Sequence, residues 1–231
     1  MMSDGSGVEQ LTDSDQDERF PTWSPDGMQI AFVREDSVAS RLVVYNLADR
    51  SEVVFAPHPG GMIRFPDWSP DAGSIAYTLN VDGARRIGVF DLATGTTDLL
   101  TDGPHRSVWP RWSPDGTEIS FFSRRDTQGE HDDIYTMTSD GGSVRRITSK
   151  AGHDFCPTWS PDGDKIAGAS ISENGSRVIS VFDLNGRVLS VVGLGKVNVS
   201  EPSWSPDGTK MLFIARSADH YDIFVQDVPR E

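Results

Sequence analysis

The side chains best suited to chemistry are five histidines, His58, His105, His131, His153 and His220, with arginines and acids near them in sequence. Arg64, Arg106, Arg124 and Arg125 carry guanidinium forks that match a carboxylate at two points. Asp17, Glu18, Glu130, Asp154 and Glu201 are acids of the same segments. Two chemistries suit such a set. Several converging imidazoles would ligate a metal, and arginines beside His153 would hold a small acidic or sugar-like ligand. No two histidines have the close spacing of a metal-binding pair, so the sequence assigns no metal ligand and implies no cofactor. Asp13-Ser-Asp-Gln-Asp17 imitates the start of a calcium loop but lacks the glycine at its sixth place and the glutamate at its twelfth. There is no phosphate-cradling glycine loop, no His-Glu-x-x-His and no cysteine pair.

What must position these residues is a repeat. Pro21-Thr-Trp-Ser-Pro-Asp-Gly27 returns as Pro66-Asp-Trp-Ser-Pro-Asp-Ala72, Pro110-Arg-Trp-Ser-Pro-Asp-Gly116, Pro157-Thr-Trp-Ser-Pro-Asp-Gly163 and Pro202-Ser-Trp-Ser-Pro-Asp-Gly208. The tryptophans Trp23, Trp68, Trp112, Trp159 and Trp204 are 45, 44, 47 and 45 residues apart. That period fits one propeller blade of four strands. The first strand ends at Trp-Ser. Ser-Pro-Asp-Gly then turns the chain, with proline presetting φ, aspartate bonding the local backbone and glycine accepting positive φ. Ala72 breaks this rule, so its turn is either strained or shifted onto Gly73.

Second strands follow as Ile30-Ala-Phe-Val33, Ile75-Ala-Tyr77, Ile119-Ser-Phe-Phe122, Ile166-Ala167 and Met211-Leu-Phe-Ile214. Third strands begin near Leu42, Ile87, Ile134, Val178 and Ile223, and fourth strands near Glu52, Thr97, Val144 and Val188. The fifth repeat ends after its third strand, while Val8-Glu-Gln-Leu-Thr12 reads as a fourth strand ahead of the first tryptophan. The expected fold is all-β: a five-bladed β-propeller of four antiparallel strands per blade, its ring closed by an N-terminal strand completing the last blade. One domain is expected over 1–231, with blades at 15–57, 58–103, 104–150, 151–193, and 194–231 plus 8–14.

Composition narrows the partners. A net charge of −14 repels phosphate backbones and anionic lipid surfaces, so no nucleic acid is expected. No apolar run approaches the roughly 20 residues of a membrane-spanning helix, so no membrane insertion is expected. Residues 1–10 lack the apolar centre of a signal peptide. The lone Cys156 takes the place held by Phe20, Phe65 and Trp109 in other repeats, which favours a buried packing thiol over a nucleophile.

These repeats resemble the TolB-type propeller repeat, whose signature is Pro-x-Trp-Ser-Pro-Asp-Gly followed by an apolar strand. The resemblance covers nearly the whole chain. That repeat occurs in periplasmic TolB-like proteins that bind other proteins, in propeller domains attached to serine peptidases, and in some sugar-acid lyases. It implies the periplasm if an export signal has been removed, and the cytoplasm otherwise. The extra N-terminal domain and sixth blade of TolB, and the Gly-x-Ser-x-Gly elbow of the peptidases, have no counterpart in this sequence.

The tryptophans and turn aspartates are explained by packing and by turns. Function is expected in the loops on the opposite face, which vary from repeat to repeat. There the residues just before each first strand, Glu18 and Arg19, Ile63 and Arg64, Ser107 and Val108, Asp154 and Phe155, and Ser200 and Glu201, are expected to crowd the pore mouth. The candidate ligand set is Arg19, Arg64, His105, Arg106, His131, His153, Asp154 and His220. The expected function is a non-enzymatic platform that holds a protein or peptide on this face. The alternatives are a pore-mouth binder or enzyme, metal-dependent or not, for a small acidic or sugar-like ligand, and a piece of a larger or self-assembling propeller.

Overall fold

The computed structural model describes residues 6–150, 152–171, 175–193, 198–216 and 220–229. The expected boundary between the fourth and fifth blades, at 193/194, borders one of the stretches outside these residues. The architecture is all-β, with five blades set around a ring axis. Blade 1 holds β1 (Asp17–Trp23), β2 (Gln29–Glu35), β3 (Ser40–Asn46) and β4 (Glu52–Phe55). Blade 2 holds β5 (Met62–Trp68), β6 (Ser74–Val81), β7 (Ala84–Asp91) and β8 (Thr97–Leu99). Blade 3 holds β9 (Ser107–Trp112), β10 (Glu118–Ser123), β11 (Asp133–Thr138) and β12 (Arg145–Arg146). Blade 4 holds β13 (Asp154–Trp159), β14 (Lys165–Ile171), β15 (Arg177–Asp183) and β16 (Val188–Val192). Blade 5 holds β17 (Asn198–Trp204), β18 (Lys210–Arg216) and β19 (Tyr221–Asp227). Neighbouring strands pair antiparallel in chain order, and β1, β5, β9, β13 and β17 pack on one another around the axis.

The Ser-Pro-Asp-Gly turns are built as their residues dictate. Ser24 Oγ donates to Asp26 Oδ1 at 2.6 Å, the same oxygen accepts the Met28 N–H at 2.9 Å, and the Gly27 N–H returns to the Ser24 carbonyl at 2.9 Å. The serines of four of these turns are buried, and their hydroxyls are thereby satisfied. At Ala72 the turn is strained and not shifted: Ala72 holds φ 58° and its N–H still bonds the Ser69 carbonyl at 2.9 Å.

The core is a series of sheet-on-sheet layers. Ala31, Val33, Leu42 and Val44 of blade 1 meet Ile63, Trp68, Ile75 and Tyr77 of blade 2. Blades 2 and 3 meet through Ile87, Ile119, Phe121 and Tyr135, and blades 4 and 5 through Ile179, Val199, Met211 and Phe213. Period-2 alternation assigns each strand residue to one interface or the other. Four of the repeat tryptophans, Trp68, Trp112, Trp159 and Trp204, pack back onto the preceding blade, and Trp68 and Trp159 are only 5% and 7% exposed.

The seam between blades 5 and 1 differs from the other four. Trp23 is 62% exposed, and Ile223 and Val225 on β19 are 73% and 64% exposed. A Cβ on Gly116, Gly163 or Gly208 would touch Pro70, Pro114 or Pro161 of the preceding blade at 3.5, 3.5 and 3.7 Å, whereas one on Gly27 would meet nothing within 4 Å.

The strand expected from Val8–Thr12 to complete the last blade is not formed. Among the described residues blade 5 has three strands, and residues 6–14 belong to no sheet. The segment lies against blade 1 instead: Arg50 bonds Glu9, Thr12 Oγ1 bonds Glu18, and Leu11 and Thr12 face Phe32 and Tyr45 across a cavity. The physical reason is the polar partners that blade 1 offers the segment: Glu18 takes the Thr12 hydroxyl and Arg50 the Glu9 carboxylate.

Candidate functional site

Each inner strand carries the same irregularity one residue before its proline. Phe20, Phe65, Trp109, Cys156 and Glu201 hold φ of 57°, 54°, 61°, 53° and 55°. The pairing of all five inner strands slips at this point. The following proline has no N–H for the ladder, so a bulge here sacrifices little pairing and redirects the preceding side chain. Left-handed backbone at a non-glycine residue costs of order 1–3 kcal/mol and persists where its surroundings enforce it.

Four of these five side chains wall an axial cavity of about 720 Å³ that opens toward the Ser-Pro-Asp-Gly turns. Phe20, Phe65 and Trp109 form a continuous aromatic arc, with ring centroids 4.6 and 4.1 Å apart. Glu201 follows on blade 5. The residue before each tryptophan adds a second row: Thr22, Asp67, Arg111, Thr158 and Ser203. Within it Arg111 Nη1 lies 3.1 Å from Asp67 Oδ1. Desolvation raises the Asp67 carboxyl above its ordinary value despite Arg111 and the Trp112 N–H. Desolvation raises Glu201 as well, opposed only by the more distant charge of Arg111. The fifth bulge residue, Cys156, is buried, and burial pushes its thiol up to about 12.

A polar cluster occupies the other face, between blades 3 and 4. Asp132 accepts Arg106 Nε at 2.9 Å and Arg124 Nε at 3.2 Å, and its backbone N–H donates to His153 Nδ1 at 3.2 Å. Desolvation works against the Asp132 carboxylate, but the two arginines outweigh it and hold the group below its usual range. The adjacent Asp133 is fully buried and accepts Arg146 Nη2 at 2.6 Å, with His131 Nε2 at 3.6 Å. There desolvation prevails over Arg146 and the carboxyl is raised. Asp154 is raised by burial too, and accepts the Ser170 hydroxyl. The His131 and His153 rings meet edge to face at 6.4 Å. Among the described residues no group of three or more His, Cys, Asp or Glu side chains is arranged to hold a metal ion.

A family model described as the TolB beta propeller domain matches residues 1–228. The chain belongs to that family. A putative TolB from Agrobacterium tumefaciens superposes with a TM-score of 0.79 at 27% identity, over 94% of this chain and 79% of that one. TolB from Acinetobacter baumannii superposes with a TM-score of 0.78 at 25% identity, over 97% of this chain and 55% of that one. Dipeptidyl-peptidase 5 of Porphyromonas gingivalis is 28% identical over 92% of this chain and 39% of its own length. The chain spans less than half the length of the curated relatives it matches.

In this TolB-family propeller the residues expected at the site divide into groups. Arg106, His131, His153 and Asp154 are brought together around Asp132 and Asp133. Arg19 and Arg64 share Glu35, at 3.7 and 3.6 Å, near the inner ends of blades 1 and 2. His220 pairs with Asp222 at 3.1 Å on the exposed rim of blade 5. His105 stands in the loop before β9 with no side-chain partner among the described residues. Glu18, Arg64, Val108, Phe155 and Ser200 lie inside the inner strands and not ahead of them. Asp67, Arg111, Asp132 and Asp133 were not singled out by the sequence. Their signals are present: opposite charges at the same place in adjacent repeats, and two consecutive aspartates after a histidine.

Proposed function

We propose that this propeller is a non-enzymatic platform for protein or peptide segments, and that its axial cavity on the turn face receives them. One observation carries the reading. Four bulged inner strands aim Phe20, Phe65, Trp109 and Glu201 into a cavity of about 720 Å³. A rigid aromatic arc beside a row of polar side chains suits anchor side chains of a partner, because the rings bury large area at little entropic cost and the polar groups fix orientation. The likeness to TolB propellers supports a protein partner.

The variable-loop face suits a ligand less well. Arg106 and Arg124 are spent on Asp132, and Arg64 on Glu35, so a small acid arriving there would compete with carboxylates already in place.

The test is selection of peptides from a random displayed library on the folded protein, followed by affinity measurement. Selected peptides should lose at least about tenfold in affinity on Trp109→Ala. They should lose as much on Ser203→Trp, which fills the cavity from a surface position. Peptides that bind both variants as well as wild type, but lose binding on Arg106→Ala, would place the platform on the loop face and overturn this reading.

A further inference from the structure

We propose that the axial cavity is selective for a cationic anchor, a lysine or arginine side chain of the bound segment, with Glu201 as its counter-charge. This rests on the platform reading above and names the chemistry that the cavity takes.

Among the residues lining the cavity only Asp67, Arg111 and Glu201 are charged. Asp67 and Arg111 neutralise each other at 3.1 Å. Glu201 remains, exposed to the cavity, with no hydrogen bond or ion pair from its carboxylate among the described residues. It stands where three other repeats place an aromatic ring and one a thiol, so the sheet does not require an acid there. A carboxylate that faces the cavity without a protein partner offers its oxygens to a donor cation, and such a charge-assisted pair is stronger than a neutral hydrogen bond.

The remaining wall suits the same guest. Aromatic faces attract cations, and within this molecule they already do. The Arg111 guanidinium lies 5.4 Å over the Trp109 ring, and that of Arg64 lies 5.7 Å over Phe20. Both arginines already have carboxylate partners, Asp67 and Glu35, so Glu201 feels only the more distant charge of Arg111 and forms no ion pair with it. The aliphatic stem of a lysine or arginine would pass along Phe20, Phe65 and the prolines while its head reached Glu201. The chain's net charge of −14 draws cations toward the molecule from a distance.

The experiment measures binding of three matched peptides with a central Lys, Gln or Glu between leucine and aromatic flanks, to wild type, Glu201→Gln and Glu201→Lys. Position 201 is exposed, so both variants should fold, and an unchanged melting curve checks it. Wild type should prefer the Lys peptide over the Gln peptide by about tenfold, and less at high salt. Glu201→Gln should abolish the preference, and Glu201→Lys should transfer it to the Glu peptide. Equal binding of Lys and Gln peptides to wild type would overturn the cationic anchor and leave the platform standing. A Lys preference that survives Glu201→Gln would overturn the assignment to Glu201. Failure of all three peptides, together with failure of the displayed library to yield any binder, would overturn both readings.

Discussion

Asp67 on β5 holds two parts of blade 3 at once: its Oδ1 lies 3.1 Å from Arg111 Nη1, and its Oδ2 accepts the Trp112 N–H at 2.8 Å. Asp67→Ala removes both bonds and leaves a guanidinium without its counter-charge. The expected cost is about 3 kcal/mol. Asp67→Asn keeps an acceptor for Trp112 and should lose less. Urea denaturation of the two variants decides, and near-equal stability of Asp67→Ala and wild type would remove this residue as an interblade tie.

The tryptophans of equivalent repeats should differ in worth. Trp159 is buried against blade 3, so Trp159→Ala should cost about 3–5 kcal/mol through cavity formation. Trp23 faces the seam with blade 5, and Trp23→Ala should cost about 1 kcal/mol or less. Equal losses at the two positions would mean that blades 5 and 1 pack like the others in solution.

Acid should act through the turns. Serine hydroxyls and backbone N–H groups hold Asp26, Asp71, Asp115 and Asp207 below their ordinary values, Asp207 at about 2. Their stabilisation is complete above the unfolded value near ~3.9 and is lost as pH falls through the folded values. Asp67, Asp133, Asp154 and Glu201 are raised and act in the opposite sense: ionised, they weigh against the folded state, and acid relieves them. Melting temperature should therefore fall steeply only below about pH 4. Asp207→Asn, which keeps the turn's acceptor, should flatten part of that fall. An unchanged slope would count against the turn carboxylates as its origin.

Cys156 should be silent in the native protein. Its thiol is buried and pushed up to about 12, so little thiolate exists at pH 8. Labelling by a disulfide reagent should require unfolding and follow the denaturation curve. Rapid labelling of folded protein would show that the bulge on β13 opens.

The repeat was legible because five copies carry the same turn and packing residues, each with a local physical reason. The bulge was not. A residue before proline is ordinarily pushed toward extended backbone, so nothing in Phe20-Pro21 or Glu201-Pro202 announces a left-handed φ. The candidate site was legible in part. His131, His153, Asp154 and Arg106 do converge, but Asp132, which holds Arg106 and contacts His153, reads in sequence as one more loop acid. The closing strand shows the limit of pattern. Leu11-Thr12 precedes Trp23 at the same offset as Ile147-Thr148 precedes Trp159. Thr148 Oγ1 accepts the Ile134 N–H at 3.0 Å, whereas Thr12 bonds Glu18.

The five bulges have a consequence for how such a protein changes over generations. At each, strand pairing is already interrupted, so the side chain there is released from the demands of the sheet. Phe20, Phe65, Trp109, Cys156 and Glu201 differ in size, polarity and charge, yet their backbones agree within a few degrees of φ. At the four that face the cavity, its wall can therefore be rewritten one letter at a time while the backbone beneath keeps its course.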